Sequence, residues 1–184
     1  MAKDKLKNVK KTIAFIKTSL DEMISHDVLP IVVCIGSDLA IGDSLGPLTG
    51  TLLKAATKGL PCSIYGSLDD RVDATNLEYI KCVLEYNHLG APIIAIDAAV
   101  GDPEDVGCVK VKKEPLYPGK GANKDIDCIG DISIMGIVAQ KGVGLILGNI
   151  RLSLVYSMAQ IIAKAVSAFL KERLKEKNLL PKNT

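Results

Sequence analysis

Histidine is scarce in this chain. His26 and His88 are the two in 184 residues, and none follows residue 88. Neither lies near a pair of cysteines, and the five cysteines, at 34, 62, 82, 108 and 128, form no C-x-x-C pair. That leaves no zinc site of the usual Cys/His kind. The charged N-terminus has no apolar h-region ahead of a cleavage site, so a secretory leader is not expected. Without one, an odd number of cysteines reads as free thiols in a reducing cytoplasm. No stretch reaches about 18 uninterrupted apolar residues, the length of a membrane span. The nearest, 152 to 170, is interrupted by Gln160 and Lys164 and reads as a buried amphipathic helix. A net charge of +2 gives no reason to expect nucleic acid as a partner. The lysines crowded between 3 and 11, and the basic residues at 171 to 177, read as solvated helix faces. No repeat, low-complexity tract or linker divides the chain. One domain over 1–184 is therefore expected, with an N-terminal helix in 1–28, a core over 30–176 and a tail over 177–184.

What is present is an ordinary globular composition, nearly half apolar and about a quarter charged, with enough length to bury a core. Apolar residues at 6, 9, 13, 16, 20 and 24 mark one helical face, which Pro30 stops from continuing. Residues 31 to 35 are a continuous β-branched and apolar run, the pattern of a strand buried on both faces. A Gly-rich turn over 36 to 46 leads into a helix expected from 43 or 44 to 58. A second strand is expected at 62 to 65, and a helix at 73 to 86 with Asp73 as N-cap. Another buried strand is expected at 92 to 96, stopping at Asp97. The segment from 101 to 131 reads as irregular, with short strand candidates at 108 to 111 and 115 to 117. A strand at 132 to 139 and a final helix from 149 to about 176 complete the pattern. Alternating buried strands and amphipathic helices imply a mostly parallel sheet covered on both faces, an α/β fold.

In such sheets ligands bind beyond the carboxyl ends of the strands. Two predicted ends carry acids: Gly36-Ser37-Asp38-Leu39-Ala40-Ile41-Gly42-Asp43-Ser44-Leu45-Gly46-Pro47 and Ile93-Ile94-Ala95-Ile96-Asp97-Ala98-Ala99. A carboxylate at the tip of an apolar strand is costly unless paired or hydrogen-bonded. Two at neighbouring tips can share a proton and polarise a water, or hold a metal ion. The plainer alternatives are that Asp43 caps the following helix and Asp97 anchors a loop through backbone N–H groups. Gly42-Asp43-Ser44-Leu45 also spells the motif of the GDSL esterases. That class needs a C-terminal histidine base, and this chain has none there. The loop is not a P-loop, because no Gly-Lys-Ser/Thr follows at the required spacing.

At these two segments the sequence resembles the YyaC family of sporulation proteins, over nearly all of residues 30 to 170. That family is similar to the germination protease of spore-forming bacteria and, more distantly, to hydrogenase maturation proteases. The resemblance implies a three-layer α/β/α fold. It matches Asp43, ahead of Leu45-Gly46-Pro47, and Asp97, in Ile96-Asp97-Ala98, to the two aspartates of the germination protease. Pro118-Gly119-Lys120-Gly121, with Asn123 and Lys124 after it, matches a third segment. Tyr117 stands where the protease has histidine, and the extra length of the protease is missing. The implied activity is a peptidase in which Asp43 and Asp97 are catalytic. Gly36, Asp38, Gly42, Gly119, Lys120, Gly121, Asn123 and Lys124 are the expected substrate contacts. No metal and no cofactor are expected. The expected partner is a protein or peptide substrate, with a small spore protein as the candidate, in the cytoplasm of forespore or mother cell. A homodimer is left open. The alternative is a non-catalytic binding or regulatory factor that keeps the fold.

Overall fold

The computed structural model describes residues 2–5, 8–118, 128–142 and 149–179. In chain order the elements are β1 (Ala2–Lys5), α1 (Val9–Met23), β2 (Ile31–Cys34), α2 (Leu45–Ala56), β3 (Ile64–Tyr65), α3 (Leu77–Asn87), β4 (Ile93–Gly101), β5 (Cys108–Lys112), β6 (Ile132–Gln140) and α4 (Leu152–Glu176). One sheet runs in the order β1-β5-β6-β4-β2-β3. Strands β3, β2, β4 and β6 are parallel to one another, while β5 and β1 add on antiparallel at the β6 edge. The expected mostly parallel α/β/α architecture is what forms.

The period-two alternation of the strands builds two cores. Val32 and Cys34 of β2 and Ile94 and Ile96 of β4 join α1, α2 and α4 on one face. Ile31, Val33 and Ala95 join Leu77 and Leu84 of α3 on the other, together with Leu116 and Ile129. Strands apolar at every position are what two covered faces demand. Helix α4 meets the length and apolar composition of a membrane span. Its Val155, Met158, Ile162, Val166 and Phe169 are nevertheless fully buried, with Gln160 and Lys164 on the exposed side. A core helix satisfies the same criterion.

Four expectations are corrected. Residues 2–5 are a strand rather than part of an N-terminal helix, because they pair antiparallel with β5. Ala-Lys-Asp-Lys has little β propensity, so the partner strand decides. Helix α3 starts at Leu77, not Asp73. The Asp73 carboxylate accepts the Thr75 backbone N–H at 2.8 Å, and the Asn76 side chain accepts the Asp73 N–H at 2.9 Å. These local bonds hold a turn ahead of the helix. Helix α4 starts at Leu152 rather than 149. Lastly, β4 does not stop at Asp97 but continues to Gly101, because β6 pairs with it from Ile94↔Ile132 to Gly101↔Gln140, with one register shift between Ala99 and Val100.

Candidate functional site

The parallel strands form in the sequence order β2, β3, β4, yet β2 lies between the other two. The chain leaves β2 through α2 on one face to reach β3, then passes through α3 on the opposite face to reach β4. Such a reversal opens a crevice beyond the carboxyl ends of β2 and β4. The loop after β2 carries Asp43, and β4 carries Asp97.

Local chemistry shapes the first arm. The Ile35 N–H still bonds β4, at the Ile96 carbonyl (2.7 Å). Then Gly36 turns the chain away, its N–H going to the Val72 carbonyl at 2.8 Å, and the Ser37 N–H goes to the Asp43 carbonyl at 3.2 Å. Gly36 has φ +136°, and a Cβ there would lie 2.1 Å from the Asp43 carbonyl oxygen. Only glycine permits that approach. A short 3-10 turn, Ile41–Asp43, follows and packs against β4 and α4. Ser44, not Asp43, is the N-cap residue of α2, and its hydroxyl donates to the Ile41 carbonyl at 2.8 Å. Asp43 is therefore half-buried at the end of the turn without being the helix cap.

Asp97 is the second arm. By alternation it projects from the sheet face of Ile93 and Ala95. It is 9% exposed, and its Oδ1 accepts the Ala98 N–H at 2.7 Å. Burial first, and then the nearby Asp43 charge, push its carboxyl well above the usual carboxylate range, while the Ala98 N–H acts in the opposite sense. The Asp43 carboxylate, from the loop after β2, is thus close enough to disfavour the ionisation of Asp97 in β4. Replacing Asp43 by asparagine is expected to lower the pKa of Asp97 by removing the second of these causes. Carboxyl carbon NMR across a pH titration reads this directly, and an Asp97 midpoint unmoved in Asp43→Asn would show that the two do not interact.

The remaining candidates fall in different places. Gly42 is buried in the 3-10 turn, and Asp38 is exposed at the outside of the same loop. Gly119, Lys120, Gly121, Asn123 and Lys124 lie outside the described residues. Tyr117 is 48% exposed. Both histidines lie in segments leading into the amino ends of β2 and β4, at the other end of the strands from Asp97. Among the described residues no group of three or more His, Cys, Asp or Glu side chains could hold a metal ion. One polar pair was not anticipated from the sequence. Lys110 of β5 donates to Asp105 at 2.5 Å, and the two are 9% and 3% exposed. By register Lys110 shares the row of Asp97 with Met135 between them. The signal for it is a lysine inside the Cys108-Val109-Lys110-Val111 strand pattern, a charged side chain directed onto a covered face.

Fold and site together define a three-layer α/β/α protein with a buried acid at the switch point of its sheet. Residues 2–165 match the family model described as Protein of unknown function (DUF1256), and the chain belongs to that family. It is 37% identical over 153 residues to the uncharacterized protein YyaC of Bacillus subtilis (strain 168), an alignment covering 82% of this chain and 74% of that one. The crystal structure of the NiFe hydrogenase maturation protease HycI from Thermococcus kodakarensis KOD1 is similar over 79% of this chain and 97% of that chain. The TM-score is 0.49 and the sequence identity 16%.

Proposed function

We propose that this protein is a peptidase-like hydrolase acting on a spore protein, with Asp43 and Asp97 as its catalytic pair. The observation that carries the reading is the meeting of two acids, from the loop after β2 and from β4, at the crevice where this sheet class binds ligands. Burial favours the protonated form of Asp97, the form that donates to a leaving amide nitrogen. The more exposed Asp43 takes a proton from the attacking water. The hydroxyl adds to the carbonyl carbon, the C–N bond breaks, and the nitrogen leaves with the proton of Asp97. A carboxyl whose pKa is raised by its surroundings, as that of Asp97 is, suits the acid role in such a division. The resemblance to sporulation proteins supplies the substrate class and the cytoplasmic setting.

Incubating the purified protein with small proteins extracted from spores, and following fragments by mass spectrometry, tests the reading. Cleavage by the wild type is expected, reduced roughly 100- to 10,000-fold in Asp43→Asn and in Asp97→Asn. Activity is expected to fall as pH rises through the raised pKa of Asp97, because the acid form is lost. Undiminished cleavage by either variant would overturn the mechanism. Binding without turnover would favour the second reading, a binding factor that keeps the fold, which the tyrosine at 117 in place of histidine supports.

A further inference from the structure

Helix α3 carries a second apolar face. Leu77 and Leu84 turn one side of it onto the sheet, in the core with Ile31, Val33 and Ala95. At about 3.6 residues per turn, Tyr79, Cys82 and Tyr86 fall on the opposite side. Tyr79 is 69% exposed and Tyr86 is 89% exposed, and Cys82 between them is exposed as well. Leu89, just past the helix, is 92% exposed. A single surface aromatic needs no explanation, but a row of apolar side chains along one helix face marks an interaction surface. Tyrosine suits such a surface, with an apolar ring to bury and a hydroxyl to leave at the rim. The charges lie to one side of the row. Glu78, Lys81 and Glu85 share a flank, and Lys81 donates to Glu78 at 3.1 Å.

We propose that this face of α3 pairs with the same face of a second copy of the chain, antiparallel, about a two-fold axis that passes between Cys82 and Val83. Two separate features give the same register. About that axis Tyr79 of one copy comes level with Tyr86 of the other, so a tyrosine pair lies on either side of the central cysteines. The same axis brings Lys81 level with Glu85 of the second copy, to within one residue's rise of about 1.5 Å. In an antiparallel pair like flanks meet, so each lysine faces a glutamate across the interface. The two Glu85 side chains stay roughly 7.5 Å apart along the helices. An unrelated partner would have to supply both patterns at this spacing, whereas a second copy has them by symmetry. An aromatic side chain buries about 150–250 Å² when fully covered. Two tyrosines from each copy, already 69% and 89% exposed, therefore give an interface at the small end of specific ones. The pairing is concentration-dependent rather than permanent.

Sedimentation equilibrium of the full chain, at low salt and at concentrations up to millimolar, tests the pairing. The average mass is expected to rise from 19.6 kDa towards twice that value. Tyr86→Glu sets a charge against Tyr79 of the other copy and should raise the dimer Kd by roughly tenfold or more. Leu39→Glu changes an equally exposed leucine, 86% open, on the loop after β2 and should leave the Kd where it was. The charged flank gives a second arm. Lys81→Glu and Glu85→Lys each put like charges opposite one another in their own dimers, but opposite charges in a mixed one. The two chains mixed should therefore associate about fivefold or more tightly than either alone. A gain on mixing is not produced by a role of either residue within its own helix. A chain that stays monomeric at millimolar concentration would overturn the pairing and leave the tyrosine row to a partner of another sequence. A dimer unmoved by Tyr86→Glu, or a mixture no tighter than its components, would overturn it equally.

Discussion

Gly46→Ala is expected to destabilise the protein by on the order of 4 kcal/mol or more, a large part of the total stability of an ordinary domain. A Cβ at residue 46 would lie 1.9 Å from the Ile35 carbonyl oxygen and 2.6 and 2.7 Å from the Ile35 carbonyl carbon and nitrogen. These are backbone atoms. Ile35 is bonded to Ile96 through its N–H and bridged to Val72, so it has no freedom to yield. Helix α2 must lift off the sheet instead. Leu45, beside Gly46, is fully buried, and its side chain reaches the sheet at Gly136, where Met158 of α4 also packs, so lifting α2 opens that core. The same movement would carry the preceding turn, and Asp43 with it, away from β4. Urea unfolding measures the loss. A cost under about 1 kcal/mol would show that α2 rides loosely on the sheet, and the placement of Asp43 would need another cause.

Asp97→Asn is expected to act in the opposite direction, raising stability at neutral pH by on the order of 1–3 kcal/mol. The asparagine oxygen still accepts the Ala98 N–H, while the buried charge and its repulsion with Asp43 are gone. The pH dependence gives the prediction its sign. The folded-state pKa of Asp97 is raised above the unfolded value, so the folded wild type binds its proton more tightly than the unfolded chain. Above the folded pKa the wild type carries the full cost of a buried carboxylate. As pH falls through that pKa the proton binds and the wild type gains stability, until the unfolded value near 3.8 is passed. The advantage of Asp97→Asn should therefore be greatest at alkaline pH and fade in acid. Thermal unfolding from pH 8 down to pH 5 reads it, with roughly 2–4 °C in Tm for each kcal/mol in a chain of this size. A variant less stable than the wild type at pH 8 would mean that the Asp97 charge is compensated in the fold. Stability gained where activity is expected to be lost is the usual mark of a functional acid held in an unfavourable place.

The fold class was legible in the sequence because burial leaves a direct imprint on composition. Ile31-Val32-Val33-Cys34 and Ile93-Ile94-Ala95-Ile96 are apolar at every position, and only strands covered on both faces need that. The spacing over 9 to 24 and over 152 to 176 marked helices for the same reason, since one face of each must meet the sheet. Asp43 and Asp97 were legible as candidates because an acid at the edge of an apolar run conflicts with its surroundings and calls for a partner. Other features depend on residues far apart in the chain, and local pattern carries no record of them. Strand β1 exists because β5 offers it an edge, and β4 passes Asp97 because β6 continues beside it. Lys110 is buried because Asp105 meets it there. Sequence alone determined which segments are buried and which acids are out of place. Tertiary structure alone decided that α2 and α3 take opposite faces, that Asp43 and Asp97 meet where they do, and that Lys110 and Asp105 are buried together. The physical reason is that burial is a property of each residue's own side chain, while pairing and electrostatic coupling belong to two residues at once.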